Sequence, residues 1–199
     1  MAFFSETTQA VSAVYLEDLK KQILACKYLA TNNLTADFVG SRGFSVVFTR
    51  AGMGRVIEQF PFFETYVATL LDADCNAFYL NPLVLASASR VNPHIDRSLR
   101  AYCPTVETPL LVSVLYVTLP EDMSGGELVL THRKRQVGRI VPAVNKVVRF
   151  QGDLTHQVSP VVTQGKGLRI SLVCEQYRLE AGPLAQIPEM GIESQNRRY

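Results

Sequence analysis

The chain is short of the features that mark several common protein classes. Its four cysteines, at 26, 75, 103 and 174, lie far apart and form no Cys-x-x-Cys pair. That argues against a zinc knuckle and against a disulfide framework. No apolar run approaches the roughly 20 residues needed to span a bilayer. No Lys or Arg precedes a long apolar run near the start, so nothing there reads as a secretory signal. A reducing, cytoplasmic setting with no membrane partner is the expectation. The net charge is only +2, and the tight basic clusters are Arg133-Lys134-Arg135 and Arg197-Arg198. These read as a solvated turn and a tail, so no nucleic-acid partner is expected. No internal repeat or low-complexity tract occurs.

What is present suits one sizeable core. The chain has 199 residues, 47% hydrophobic and 19% charged, which predicts a single domain over 1–199. Apolar side chains at Val11, Tyr15, Leu19, Ile23, Cys26 and Ala30 recur at helical spacing, predicting a helix over 5–30. Ser5 or Thr7 would cap it and Asn32-Asn33 would end it. Residues 43–49 read as a strand. A second helix is expected over 55–71, kinked or delayed by Pro61. Residues 1–72 are thus expected to be a mainly helical buttress. From residue 75 the texture changes to short segments rich in Val, Leu, Ile, Phe and Tyr, separated by Pro, Gly and Asn. Strands are expected at 75–80, 83–90, 97–102, 109–119, 126–131, 137–141, 146–150, 156–162 and 167–177. Many short strands with turn signals between them point to a sandwich or barrel over 75–177, within an α+β layout. Residues 180–199 read as an extended tail, free or packed across the body.

Three histidines are available. In Asn-Pro-His-Ile-Asp-Arg, His94 and Asp96 stand two apart, so on an extended chain both point the same way. Alone, a His-x-Asp pair reads equally as an exposed strand end. Gly-Asp-Leu-Thr-His places His156 at the start of a strand. Two histidines and one carboxylate form a facial set with open positions, the ligand set of non-haem iron(II) oxygenases. Further on, Arg169 and Ser171 share one face of a patterned strand, with Leu168, Ile170 and Leu172 on the other. An inward Arg would be a costly buried charge unless an anion pairs with it. A guanidinium suits a carboxylate, and the Ser hydroxyl adds a donor. The other reading is that Arg169 points outward or pairs with a protein carboxylate.

In that order, His94-x-Asp96, His156 and Arg169-x-Ser171, the landmarks resemble those of the iron(II)/2-oxoglutarate dioxygenases, within them the prolyl 4-hydroxylase-like branch. The Gly-Gly-Glu turn at 125–127 and the Ser-Pro-Val after His156 add to the resemblance, which covers about residues 75–177. It implies a double-stranded β-helix, or jelly-roll, buttressed by the N-terminal helices. His94, Asp96 and His156 would hold Fe(2+), leaving room for 2-oxoglutarate and O2. Arg169, helped by Ser171, would bind the distal carboxylate of 2-oxoglutarate. Tyr79 is a further candidate for that co-substrate, with Asn76 and Tyr116 as others, though Tyr116 suits the core equally. The implied reaction is hydroxylation of a prolyl, amino-acid-like or other small substrate, with succinate and CO2 formed. Related halogenases lack the carboxylate that Asp96 supplies, which favours hydroxylation. The nucleic-acid demethylases of the superfamily carry a second Arg six residues after the first, where this chain has Glu175.

Arg97, Arg100 and Tyr102, just past the first ligands, are candidates for contacting a small-molecule or short peptide substrate. His132, beside the basic turn, reads as surface. The rival from another class is a cupin-like jelly-roll that binds metal or 2-oxoglutarate without turnover. It shares the fold, so fold alone does not separate the two.

Overall fold

A computed structural model describes residues 2–31 and 36–195, and the backbone of 197–198. In chain order its elements are β1 (Phe4–Thr8), α1 (Ala13–Ala25), β2 (Ala30–Thr31), β3 (Phe38–Gly43), β4 (Ser45–Thr49), α2 (Met53–Gln59), a 3-10 turn (Pro61–Phe63) and α3 (Glu64–Thr69). Then follow β5 (Ala77–His94), a second 3-10 turn (Ser98–Ala101), β6 (Leu111–Thr118), β7 (Ser124–Gly125), β8 (Leu128–His132), β9 (Arg135–Ile140) and β10 (Lys146–Gln151). The chain continues with β11 (Thr155–Val158), β12 (Val161–Val162), β13 (Arg169–Tyr177), α4 (Ala181–Leu184), β14 (Met190–Ser194) and β15 (Arg197–Arg198).

The strands pair in the order β1-β10-β6-β13-β5-β11-β8-β9, with β3 and β4 on the other side of β5 and β14 beyond β4. β5 joins the two halves of the jelly-roll. Its residues Ala77–Leu85 pair with β13, while Val91 and His94 pair with β11. Between them the strand turns a corner at Ala88, whose φ is +67°. The Ser89 hydroxyl fixes that corner, accepting from the Ala86 N–H at 3.1 Å and donating to the Gly40 carbonyl at 2.7 Å. Pro82 sits inside β5 without breaking it. Its missing N–H falls where the neighbour changes from β4, last paired at Leu80, to β3, first paired at Leu83.

Alternation along the central strands sorts two layers. Phe78, Leu80, Leu172, Cys174, Leu115 and Val117 face outward and pack with Leu16, Leu19 and Ile23 of α1 and with α2 and α3. Fully burying Leu19 and Ile23 is worth ~2 kcal/mol each. The opposite face looks into the roll, where Val112, Val114 and Tyr116 of β6 meet Leu128 and Leu130 of β8 and Phe150 of β10.

The α+β jelly-roll buttressed by helices is the expected class, but several boundaries differ. The first 72 residues are mixed, with four strands among the helices. The helix expected over 5–30 begins at Ala13, because the Ser12 side chain accepts from the Tyr15 N–H and caps it there. The Phe-Ser-Glu-Thr-Thr segment before it pairs instead with the edge of β10. Asn32-Asn33 lie outside the described residues. Segments 75–80 and 83–90 are one strand, and 97–102 is a 3-10 turn. Within the extended tail, Met190–Glu193 pack across the body as a strand, paired with Phe48–Ser45. The basic cluster forms the β8–β9 hairpin turn, with positive φ at Arg133 and Lys134.

Candidate active site

Strand pairing brings the three candidate ligands together. His156 on β11 stands directly opposite His94 at the end of β5. Asp96, two residues on, reaches both: its Oδ1 lies 3.3 Å from His94 Nε2 and its Oδ2 lies 3.3 Å from His156 Nε2. One ligand atom from each residue falls within 4.8 Å of the others. Each imidazole is aimed by its own backbone. His94 Nδ1 donates to the Asn92 carbonyl at 2.8 Å, and His156 Nδ1 donates to the Leu154 carbonyl at 3.2 Å. With Nδ1 occupied, Nε2 of both rings is turned to the common point. Phe38 packs edge-on to His94 and Phe150 tilts against His156, so each ring is also backed by an aromatic.

The electrostatics of the cluster call for positive charge. Burial pushes the Asp96 carboxyl up, but the His156 charge and hydrogen bonds from both imidazoles outweigh it and hold it below the usual range. Burial lowers His94, yet the Asp96 hydrogen bond and charge leave the imidazole above its ordinary value. Asp96 Oδ2 is buried, with His156 Nε2 at 3.3 Å. Two nitrogens and a carboxylate converging out of water suit a divalent transition metal.

A chamber beside this cluster is lined by Leu83, Val114, Tyr116, Phe150, Arg169 and Ser171, among others. Arg169 is 1% exposed. Its Nη1 donates to Ser171 Oγ at 3.4 Å, its guanidinium lies 5.1 Å from the Tyr116 ring centre, and its Nε has no partner. Among the described residues no carboxylate forms an ion pair with it. Gly126, with φ +71°, explains part of the Gly-Gly-Glu landmark: this left-handed backbone favours glycine, and the position lies against Arg169 and Met123. The Tyr116 hydroxyl is buried in the same chamber beside Arg169 and makes no hydrogen bond of normal geometry among the described residues. A buried cation, a hydroxyl and an unmet N–H facing one space fit a dianionic organic acid.

A second cavity of about 270 Å³ opens on the other side of Asp96, lined by Asp37, Phe38, Tyr79, Asn81, Arg97, Ser98 and Glu175. The two spaces share Phe38, Leu83, His94, Asp96 and Val173. Tyr79 therefore lies in the outer cavity and not with Arg169, and its hydroxyl donates to Glu193 Oε2 at 2.9 Å. Arg97 is on the rim. Arg100 and Tyr102 line neither space. Arg100 holds the Val106 carbonyl at 2.8 Å, and the Tyr102 hydroxyl donates to Glu193 Oε1 at 2.6 Å. Asn76 is likewise spent elsewhere, on the Leu179 backbone. His132 packs against Phe3, away from the cluster. The sequence reading passed over Asn81, although a polar residue at the inward parity of Tyr79 and Leu83 was a usable signal.

Comparison with known proteins bears on these spaces. Residues 82–174 match the 2OG-Fe(II) oxygenase superfamily. No curated protein sequence matches significantly. Among solved structures, a Pseudomonas putida prolyl-4-hydroxylase superposes with a TM-score of 0.58 at 14% identity, over 90% of this chain and 95% of that one. A Trichoplax adhaerens prolyl hydroxylase, solved with a hypoxia inducible factor oxygen degradation domain peptide fragment, gives 0.58 at 12%, over 93% and 87%. An oxidoreductase of the 2OG-Fe(II) oxygenase family from Burkholderia pseudomallei gives 0.57 at 15%, over 99% and 89%. At such identities these neighbours speak for the fold, which is that of the prolyl 4-hydroxylases. The matched segment contains His94, Asp96, His156 and Arg169, so the part of the chain that builds the site is similar to the 2OG-Fe(II) oxygenase superfamily, and the site's cofactors are iron(II), 2-oxoglutarate and dioxygen.

Proposed function

We propose that this chain is a single oxygenase domain that hydroxylates an unactivated C–H bond of a small amino-acid-like molecule or a short peptide segment. One observation carries the reading: three convergent ligand atoms stand beside a buried guanidinium that has no counter-ion among the described residues. In it, His94, Asp96 and His156 hold iron(II), and Arg169, Ser171 and Tyr116 hold the distal carboxylate of 2-oxoglutarate. Bound there, the metal supplies oxygen activation, and 2-oxoglutarate supplies the reducing electrons and leaves as succinate and CO2.

The protein's own part is orientation and exclusion of water. The Nδ1 anchors on Asn92 and Leu154 keep both imidazoles aimed. Val114, Leu128, Phe150 and Val158 keep the inner chamber apolar around its one cation. The outer cavity, at about 270 Å³, suits one small molecule or one inserted side chain. Tyr79 and Arg97 serve that cavity in this reading. Arg100 and Tyr102 shape the loop above it. A cytoplasmic setting belongs to the same reading, supported by four unpaired cysteines. Among the described residues no helix is long and apolar enough to cross a membrane.

Anaerobic addition of iron(II) and 2-oxoglutarate tests the reading directly. The weak visible absorption of a chelated complex should appear and should be lost in His94→Ala. Failure of the two to bind together, or a signal that survives His94→Ala, sinks it. Succinate formation with candidate substrates then separates turnover from mere binding.

A further inference from the structure

The three ligands are not aimed in the same way. His94 and His156 stand on paired strands, and each has its Nδ1 anchored on a backbone carbonyl. Asp96 has neither support. β5 and its pairing end at His94. Among the described residues, only the imidazoles of the other two ligands, each at 3.3 Å, reach the Asp96 carboxylate. Those nitrogens turn to the metal once it is bound, so the direction of Asp96 has to come from its backbone.

That backbone is tied two residues further on. Ser98 opens the 3-10 turn Ser98–Ala101, and Arg97 before it makes no side-chain cap. The first N–H of such a turn has no partner within it. It is met from β13 instead: Glu175 Oε2 accepts the Ser98 N–H at 3.1 Å, and Glu175 Oε1 is hydrogen-bonded to the Ser98 hydroxyl. The Tyr177 hydroxyl in turn donates to Oε2. Buried Leu99 packs with Val47, Ala77 and Tyr79 and fixes how deep the turn sits, whereas Glu175 fixes where it starts. Glu175 is itself buried, and among the described residues no Lys, Arg or His pairs with it. A carboxyl kept out of water without a counter-ion costs stability, so the fold alone gives no reason for it.

β13 thus reaches the site twice from one face. Arg169 lines the inner chamber, and Glu175, six residues on and of like parity, lines the outer cavity. We propose that Glu175 is a positioning residue for the metal centre: through Ser98 it holds the backbone that aims Asp96. The inference rests on the oxygenase reading, because it takes Asp96 as an iron ligand. The tether does not depend on the charge of Glu175. A carboxyl that keeps its hydrogen donates it to the Ser98 hydroxyl, and one that has lost it accepts. Glutamine reproduces the first form, with an oxygen for the Ser98 N–H and an amide hydrogen for the hydroxyl. Leucine fills a similar space and offers neither.

The test titrates the full chain with cobalt(II), whose visible absorption reports both occupancy and ligand set. Glu175→Leu should weaken cobalt(II) binding by about tenfold or more and displace the absorption of the saturated chain. Glu175→Gln should restore both to those of the parent. A merely weaker fold would lower occupancy and leave the saturated spectrum where it was. In the metal-free chain, hydrogen exchange at the Ser98 amide should be slow in the parent and in Glu175→Gln, and fast in Glu175→Leu. An affinity or saturated spectrum unmoved by Glu175→Leu, a Ser98 amide that exchanges no faster there, or a loss that Glu175→Gln does not restore would overturn the proposal. Should Glu175→Leu fail to fold, Ser98→Ala takes its place. It removes one of the two tethers and should lose about threefold or more in affinity, and an unmoved value there is equally fatal. Cobalt(II) binding by the parent, and its loss in His94→Ala, are read first. Their failure strikes the oxygenase reading and the proposal with it, so the two failures are distinguishable.

Discussion

His156 and His94 face each other across the β11–β5 pair, and both present Nε2 to the two oxygens of Asp96. The register of two strands therefore sets the ligand geometry. In the metal-free chain this arrangement holds a carboxylate and two imidazoles out of water, a desolvation cost that a bound metal offsets. His156→Ala should therefore leave metal-free stability unchanged or raise it by about 1 kcal/mol, while iron(II) affinity falls by about a hundredfold or more. Equilibrium dialysis under anaerobic conditions measures the second effect and thermal melts the first. The rise in Tm on adding metal should vanish in the variant.

Arg169 gives a parallel expectation with an organic anion. Its guanidinium is buried with no carboxylate partner among the described residues, so Arg169→Met should stabilise the ligand-free chain by about 1–3 kcal/mol. The same substitution should abolish the increase in Tm that 2-oxoglutarate produces. Arg169→Lys should restore part of it, because an ammonium keeps the charge but not the two-pronged geometry. A ligand-free chain weakened by Arg169→Met would mean that the guanidinium is already satisfied.

The Tyr116 hydroxyl is the gentler probe of the same chamber. It is buried beside Arg169 and makes no hydrogen bond of normal geometry among the described residues, so Tyr116→Phe removes little from the ligand-free fold. The expected result is unchanged stability and a 2-oxoglutarate Kd raised by about three- to tenfold. Calorimetric titration of the zinc form reads it. An unchanged Kd would assign Tyr116 to the core alone.

Stability should also depend on pH through Glu175. Burial, and then the nearby Asp96 charge, push its carboxyl up to about 8 from an ordinary 4.5. Between those values the folded chain keeps a proton that the unfolded chain has released. The contribution is complete below the unfolded value, is lost as pH rises through about 8 and then levels off. Glu175→Gln removes the slope, so the variant should gain on the parent as pH rises. Urea midpoints of the metal-free chain across this window would show parallel curves if the carboxyl were ordinary.

The corner of β5 supplies a structural prediction. Ser89 Oγ joins the Ala86 N–H to the Gly40 carbonyl, and Ser89 is buried. Ser89→Ala leaves both backbone groups unmet and should cost about 1–3 kcal/mol. Because His94 lies just beyond the corner, iron affinity should fall with it, and chemical denaturation and dialysis would report the two together.

The parts of this molecule that were legible in the sequence are those governed by periodicity and spacing. Arg169 and Ser171 on one strand face, and His94 with Asp96, are two-residue repeats that extended backbone turns into shared direction. The order of the three landmarks pointed to the family. What stayed hidden depended on partners distant in sequence. Phe4–Thr8 is a strand because β10 has an open edge, and Met190–Glu193 is one because β4 does. Residues 97–102 carry the composition of a strand, but Ser98 donates both its hydrogens to Glu175 and curls the chain. Pro82 suggested a break because its tolerance rests on two neighbouring strands changing over at that residue. Tyr79 looked like a co-substrate ligand from its place before the metal motif. Its hydroxyl is claimed by Glu193, more than a hundred residues away in sequence.

β5 carries two unrelated obligations on alternate residues. Phe78, Leu80 and Val84 answer to the helices, whereas Tyr79, Asn81 and Leu83 answer to the occupants of the roll. Neighbouring positions are thus under separate constraint, and specificity can drift at 79 and 81 while 78 and 80 hold the scaffold. A lineage could retune what this enzyme accepts through one segment, by changes too small to disturb the ligands at its end.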